Sequence, residues 1–342
     1  MTATASAVPA IRSLPQVRAM GEAILCWGTE DGAPSRRPAL PWRSTRDPWA
    51  VLVSEVMAQQ TQLARVLVAY PRFLARFPTP GACAVSPLGA VLRAWQGLGY
   101  NRRARDLHRA AQVIVSEHGG RVPAGLPDLV GLPGVGAYTA RAVMAFAFEA
   151  DVGVVDTNAG RVLSRAVAGR RLQAKQAQQL VDAMVPASKG WAFGQALLDL
   201  GATICVAGDP CCRRCPVRPR CRWASRGGAS PDPAAGSAGV STPQGPFDGS
   251  DRQGRGRLVD ALRHGPLSAG QAIDSAGWPD DPERVARMVT GLVEDGLVVR
   301  GSDGVLRLPC PGWSSDRGRP APRRPAAVLV VCRSRRRPGL RR

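Results

Sequence analysis

Lysine is nearly absent from this chain. Of its 46 basic residues only Lys175 and Lys189 are lysines, so the positive charge is carried by arginine and any amine chemistry has two candidate positions. No run of 18 or more apolar residues occurs, which excludes a membrane-spanning helix and any membrane partner of that kind. The opening stretch MTATASAVPAIRSLPQ has neither a charged n-region nor an apolar h-region, so no export signal is expected. Residues 16 to 223 show no sustained two-residue alternation, which argues against sheet. A disulfide framework is also unexpected. The nine cysteines are an odd number, and Cys205, Cys211, Cys212, Cys215 and Cys221 crowd into 17 residues, a pattern suited to a metal site in a reducing cytoplasm.

What is present is length and basic charge. With 342 residues the chain has room for two or three domains. Its net charge of +20 points to a polyanion, nucleic acid first. Ten arginines and one aspartate in the last 32 residues account for +9 of that charge, leaving +11 for the first 310.

The punctuation divides the chain. Residues 1–15 are expected to be a disordered N-terminus, and 16–225 read as nearly continuous amphipathic helix broken by Gly and Pro, an all-α body. Residues 226–250, poor in large apolar side chains, read as a flexible linker. Residues 251–309 give three helical patterns followed by a hairpin, the order of a winged helix, which could bind DNA or serve as a protein-contact module. Residues 310–342 read as a basic disordered tail. A monomer is expected.

Four motifs carry chemistry. Cys205, Cys212, Cys215 and Cys221 form C-x6-C-x2-C-x5-C, four thiolates close enough to enclose a [4Fe-4S] cluster; a structural zinc is the other group they would suit. Cys211 offers a less familiar register. In LVGLPGVGAYTARAVMAF, residues 129–146, a short helix ends at Gly131, the turn Leu132-Pro133-Gly134-Val135-Gly136 follows, and a helix opens at Ala137. Glycines permit close approach and the open helix N-terminus attracts a phosphate, so this reads as a helix-hairpin-helix DNA contact. In DPWAVLVSEVMAQQT, residues 47–61, Asp47 and Pro48 mark a helix start, and Glu55 falls on the apolar face. Burial would keep it protonated as an acid, unless it merely bonds a helix terminus. In VGVVDTNAGRVLSR, residues 152–165, an apolar run delivers Asp156, Thr157 and Asn158 to a helix start, where Asp156 or Asn158 would also serve as an ordinary N-cap.

LPWR (40–43), SEVMAQQT (54–61), GLGY (97–100), LPGVGAYTA (132–140), VVDTN (154–158) and the four cysteines occur in one order. Over about 210 residues this resembles the endonuclease III superfamily of DNA glycosylases, and within it the MutY adenine glycosylases. The resemblance implies a six-helix barrel near 44–150 and an iron-sulfur helical domain built from 16–43 plus 151–225. It implies a base-excision enzyme acting on double-stranded DNA that contains a mismatch or an oxidised guanine, adenine being removed opposite 8-oxoguanine or guanine. Glu55 would be the general acid, protonating adenine at N7. Asp156 would stabilise the oxocarbenium sugar or bond to it covalently, with Asn158 in support.

Bifunctional relatives carry a lysine after GVG, and here that slot holds Tyr138, which implies a monofunctional enzyme. Gln59, Gln60, Thr61 and Tyr100 match the elements that flip the base and fill the gap. Trp42, Arg43 and Gln195 resemble adenine-pocket residues, and Arg213, Arg214, Arg218 and Arg220 would face phosphates. Relatives that remove hypoxanthine, or a pyrimidine opposite guanine, and a non-catalytic iron-sulfur DNA-binding protein are the other functions considered. Three departures stand out. DTN replaces the commoner DGN, Gly194 stands where Asn is common, and a winged helix of 59 residues occupies the place of a MutT-like domain.

Overall fold

The computed structural model of the chain describes residues 13–29, 40–240 and 245–310. The expected disordered N-terminus up to residue 12 and the basic tail beyond residue 310 lie outside the described residues. Within them, helices dominate and the only sheet is one two-stranded hairpin.

Helix α2, Pro48–Ala58, is the axis of the first body. Asp47 caps it by accepting from the Trp49 backbone N–H at 3.0 Å, and Pro48 starts the first turn without an orphaned donor. Every residue from Trp49 to Met57 is buried, which explains why its pattern is apolar nearly all round. Around it lie α3 (Leu63–Arg76), α4 (Pro80–Ala84), α5 (Leu88–Ala94), α6 (Arg102–Glu117), α7 (Leu126–Gly131) and α8 (Ala137–Ala147). Trp49 is locked there by donating its indole N–H to the Phe77 carbonyl at 2.9 Å.

The second body combines α1 (Leu14–Thr29) with α9 (Thr157–Val162), α10 (Ala174–Met184) and α11 (Gly190–Thr203), so the ends of the helical region meet in space. Glycines permit the crossing. A Cβ on Gly21 would lie 2.0 Å from the Met184 carbonyl oxygen, and one on Gly28 would lie 2.3 Å from the Ala196 Cβ. Helix α9 passes into a wider π-type turn over Leu163–Ala168, whose residues are all buried.

The segment read as a linker is different in the structure. Residues 229–240 are laid against α9: Ala238 donates to Leu172 O at 2.9 Å, Leu172 donates to the Ser237 hydroxyl at 3.0 Å, and Asp232 pairs with the buried Arg165 at 2.5 Å. Ala234 and Ser237 are both 3% exposed. Small residues are what the contact needs, because a Cβ on Gly160 would meet the Ala238 carbonyl at 2.5 Å. The flexible-linker reading of 226–250 is therefore corrected for this stretch: scarcity of large apolar side chains here reflects close backbone packing.

The C-terminal unit contains α12 (Asp251–His264), α13 (Ala269–Ala276), α14 (Pro282–Glu294) and a hairpin of β1 (Val299–Arg300) with β2 (Leu306–Arg307). Leu267 bridges to Leu306 and adds a short third edge. This is the three-helix and wing order that the sequence predicts.

Candidate active site

Glu55 projects from α2 and is 9% exposed. Burial in apolar surroundings raises its pKa from 4.5 to about 7, against the lowering effect of a hydrogen bond with Tyr138, and the negative Asp156 raises it further. A carboxyl held there keeps a proton near neutral pH that an exposed glutamate would lose.

The opposing carboxylate is built differently. Asp156 is the N-cap of α9, and three donors converge on it: the backbone N–H groups of Asn158 and Ala159 at 2.8 and 2.7 Å, and the Asn158 amide at 2.7 Å. The helix dipole adds positive potential at the same place. Capping thus gathers positive potential around this one side chain. Glu55, Tyr138 and Asp156, dispersed over 102 residues of sequence, meet where α2, α8 and α9 converge, one carboxyl shielded and one surrounded by donors.

The hairpin motif lies beside them. Leu132 and Val135 are buried anchors, while Gly134 and Gly136 are exposed. Gly134 adopts φ +76°, a conformation for which glycine is suited. Helix α8 begins at Ala137, and Gly136 at its N-cap position offers no side-chain cap, so its first turn is presented outward. Pro133 completes the turn and lines a small cavity behind it with Arg103 and Asp106.

Gln60 and Tyr100 are exposed at two neighbouring turns, and both take positive φ, +52° and +46°. Gln59 points the other way, donating to the Thr139 hydroxyl at 3.0 Å. Thr61 accepts from Arg103 at 2.8 Å. Trp42 packs edge-on against Tyr70 at 5.4 Å, and Gln195 is half-buried on α11. Arg43 is committed elsewhere: its guanidinium forms a two-pronged pair with Asp199 at 2.8 and 2.6 Å, tying the segment before α2 to α11. Gly194 also has a local reason, since a Cβ there would lie 2.9 Å from the Phe146 ring.

Cys205, Cys212, Cys215 and Cys221 line one cavity with apolar neighbours that include Val162, Leu200 and Trp223. Cys211 is exposed and outside that lining, whereas Cys212 is part of it. Burial raises the thiols of Cys205, Cys212 and Cys215, which favours thiolate only when a cation is bound. Among the described residues no three His, Cys, Asp or Glu side chains are gathered as around a single metal ion. Four thiols facing one apolar cavity nevertheless fit a cluster held by four cysteines.

Residues 53–187 match the HhH-GPD superfamily base excision DNA repair protein family. The adenine DNA glycosylase of Mycobacterium tuberculosis is 43% identical over 282 residues, covering 80% of this chain and 90% of that protein. The human adenine DNA glycosylase is 38% identical over 244 residues, 66% of this chain and 43% of that protein. The chain belongs to the adenine DNA glycosylase family. Among solved structures a thermostable thymine-DNA glycosylase superposes with a TM-score of 0.56 at 28% identity, covering 62% of this chain and 98% of that one. A trapped endonuclease III–DNA covalent intermediate superposes with a TM-score of 0.55 at 22% identity, covering 64% and 100%, and shares the fold.

This adenine DNA glycosylase family member is a monofunctional, DNA-binding base-excision enzyme, and Tyr138, two residues after its hairpin turn, has no amine to form a Schiff base. An iron-sulfur cluster is the group its family suggests at the cysteine cavity. Among the described residues no helix is long and apolar enough to cross a membrane.

Three arginines that tie the elements of the site together escape sequence reading. Arg161, 8% exposed, donates to Asn158 Oδ1 at 2.7 Å, Gly201 O at 2.7 Å and Cys205 O at 3.0 Å, linking the Asp156 cap to the cysteine loop. Arg165 joins Asp232, Val206 O and the Cys205 sulfur. Arg103 donates to the carbonyls of Val56, Met57, Gln59, Leu98 and Gly99 as well as to Thr61, sewing the turns of Gln60 and Tyr100 together. Each bonds backbone far away in sequence, and no motif marks such contacts.

Proposed function

We propose that this enzyme removes adenine mispaired with 8-oxoguanine or guanine. The observation that carries the reading is Glu55, a nearly inaccessible carboxyl whose pKa is raised to about 7 beside Tyr138 and the negative Asp156. Adenine leaves poorly as an anion, and a proton delivered to N7 lets it leave neutral. Glu55 gives that proton. The C1′–N9 bond then breaks with its electron pair going to the base, and the sugar becomes an oxocarbenium cation. Asp156, held by its three donors, faces that cation and stabilises it. Water adds at C1′ and loses a proton, leaving an abasic site with the strand intact. Tyr138 orients Glu55, and Asn158 fixes the Asp156 carboxylate.

The adenine must leave the helix first. Exposed Gln60 and Tyr100 are placed to enter the gap, and the Leu132–Gly136 turn to receive a phosphate. Trp42 and Gln195 are assigned to the base pocket, with Arg43 shaping it through Asp199. Cys205, Cys212, Cys215 and Cys221 would hold a [4Fe-4S] cluster, whose contribution is to fold a loop displaying the exposed Arg213, Arg214, Arg218 and Arg220 toward phosphates.

Duplexes containing A, T, U or hypoxanthine opposite 8-oxoguanine or G test this. The expected result is base release from the adenine duplexes, with strand breaks appearing only after alkali. Release confined to a pyrimidine or hypoxanthine duplex would assign the enzyme to that other base instead.

A further inference from the structure

The C-terminal unit has the shape of a DNA-reading module and the wrong charge for one. Residues 251–309 hold eight arginines and nine acidic residues, a net −1, whereas residues 1–250 carry +12. Phosphate binding needs cations free to meet the backbone. Most arginines here are engaged within the protein: Arg255 with Asp295, Arg284 with Asp251, Arg307 with Asp303. On α14, the third helix, which in a winged helix would enter the groove, exposed Arg287 sits between exposed Glu283 and Glu294.

The unit's polar contacts are turned instead toward the catalytic body, and they converge on one turn. Arg263, whose side chain is 7% exposed, donates to Leu92 O at 3.0 Å near the end of α5 and to Asn101 Oδ1 at 2.9 Å. Asn101 is the N-cap of α6, yet its side chain caps nothing in that helix. Its usual role is given up for the contact with Arg263. The next residue, Arg102, pairs with Asp295 at 2.8 Å, and Arg105 donates to the Asp295 carbonyl at 2.6 Å. At the far end of α5, Gly89 donates to Pro309 O at 2.7 Å, where a Cβ would lie 2.6 Å from that oxygen. Helix α5 is therefore gripped at both ends, and so is the start of α6. Between them runs Gly97–Tyr100, with Tyr100 at φ +46°.

We propose that the C-terminal unit is a brace for the Tyr100 turn and not a second DNA-reading head. Arg263 is its principal positioning residue, acting through Asn101 on the adjoining Tyr100. This rests on the assignment of Tyr100 to gap filling. A turn in left-handed backbone conformation is costly to hold, and contacts from outside keep it in the one geometry that can enter the duplex.

The test uses the full-length protein and a duplex with 2-aminopurine next to the target adenine, whose fluorescence reports unstacking. Arg263→Gln and Asn101→Ala, one from each side of the contact, should each slow the flipping phase about tenfold. The double variant should be no slower than Arg263→Gln alone, because Asn101→Ala removes only a bond that Arg263→Gln has already removed. The salt dependence of duplex affinity should stay at the wild-type value in both variants, and flipping is compared below the melting transition of each. Arg287→Ala with Arg300→Ala should alter neither flipping nor salt slope. Loss of flipping in Tyr100→Ala with normal flipping in Arg263→Gln and Asn101→Ala would overturn the brace. Additive losses in the double variant would overturn it as well. A salt slope reduced by about two in the Arg287/Arg300 variant would make the unit a reading head. Undiminished flipping in Tyr100→Ala would overturn the gap-filling assignment itself, a failure separate from the other two.

Discussion

Glu55 and Asp156 show how one side-chain chemistry is given two different environments. Glu55 binds its proton more tightly folded, near pH 7, than at the ordinary value of 4.5. Between those values the native state retains a proton that the unfolded chain has lost, so stability falls as pH rises through this window. Above it, the fold contains a buried charge. Glu55→Gln is neutral throughout, so it should melt above wild type at pH 8 and close to it at pH 5. A wild-type melting temperature that stays flat or rises relative to the variant between these two pH values would show that Glu55 is not buried as described. Asn158 is the other sensitive position, since its amide serves Asp156 and its carbonyl serves Arg161. Asn158→Ala should lower the single-turnover excision rate about 100-fold and destabilise the fold by about 1–3 kcal/mol. Thermal melts and a rate measured at saturating enzyme separate these two losses. Support of Asp156 by Asn158 is what the resemblance implies, but the partnership with Arg161 is not legible in DTN, which reads equally well as a helix cap.

The elements the sequence announces are those with local causes. Asp47-Pro48 starts α2, the Gly134 turn joins α7 to α8, and Asp156 starts α9, each for reasons contained in a few consecutive residues. Elements set by distant contacts are not announced. The stretch 229–240 has the composition of a linker because its small residues press backbone against backbone, and only Arg165, 67 positions from Asp232, gives that a purpose. Likewise nothing near Arg43 in the sequence announces its pairing with Asp199, 156 positions away. At the hairpin, local geometry makes a firm prediction. Gly134→Ala forces a Cβ into left-handed backbone and to 2.7 Å from the Asp106 Cβ. Strain of about 1–2 kcal/mol should distort the turn and weaken duplex binding about tenfold, read by a binding titration. Excision at saturating enzyme should change little, which distinguishes loss of a phosphate contact from damage to the carboxylates.

Across the whole molecule, charge and chemistry are distributed separately. Arginines carry nearly all the positive charge, while the two carboxylates to which the proposed function assigns bond breaking lie at the junction of α2 and α9. Residues 310–342 carry ten arginines and one aspartate. Removing them should weaken nonspecific DNA binding and flatten its salt dependence, with base excision intact; a truncated protein that folds but excises nothing would contradict the separation. The same separation makes pH a clean probe. With 46 basic residues of which all but two are arginine, and three histidines, little of the DNA-binding charge titrates between about pH 6 and 9. The decisive measurement is the single-turnover rate of adenine release from a duplex with A opposite 8-oxoguanine, taken at saturating enzyme across that range for wild type and Glu55→Gln. The wild-type rate should fall as pH passes about 7, where Glu55 loses its proton, and Glu55→Gln should be slower by about 100-fold or more, without that falling limb. A wild-type rate that holds through pH 9, or a Glu55→Gln rate near wild type, would contradict Glu55 as the acid that releases the base.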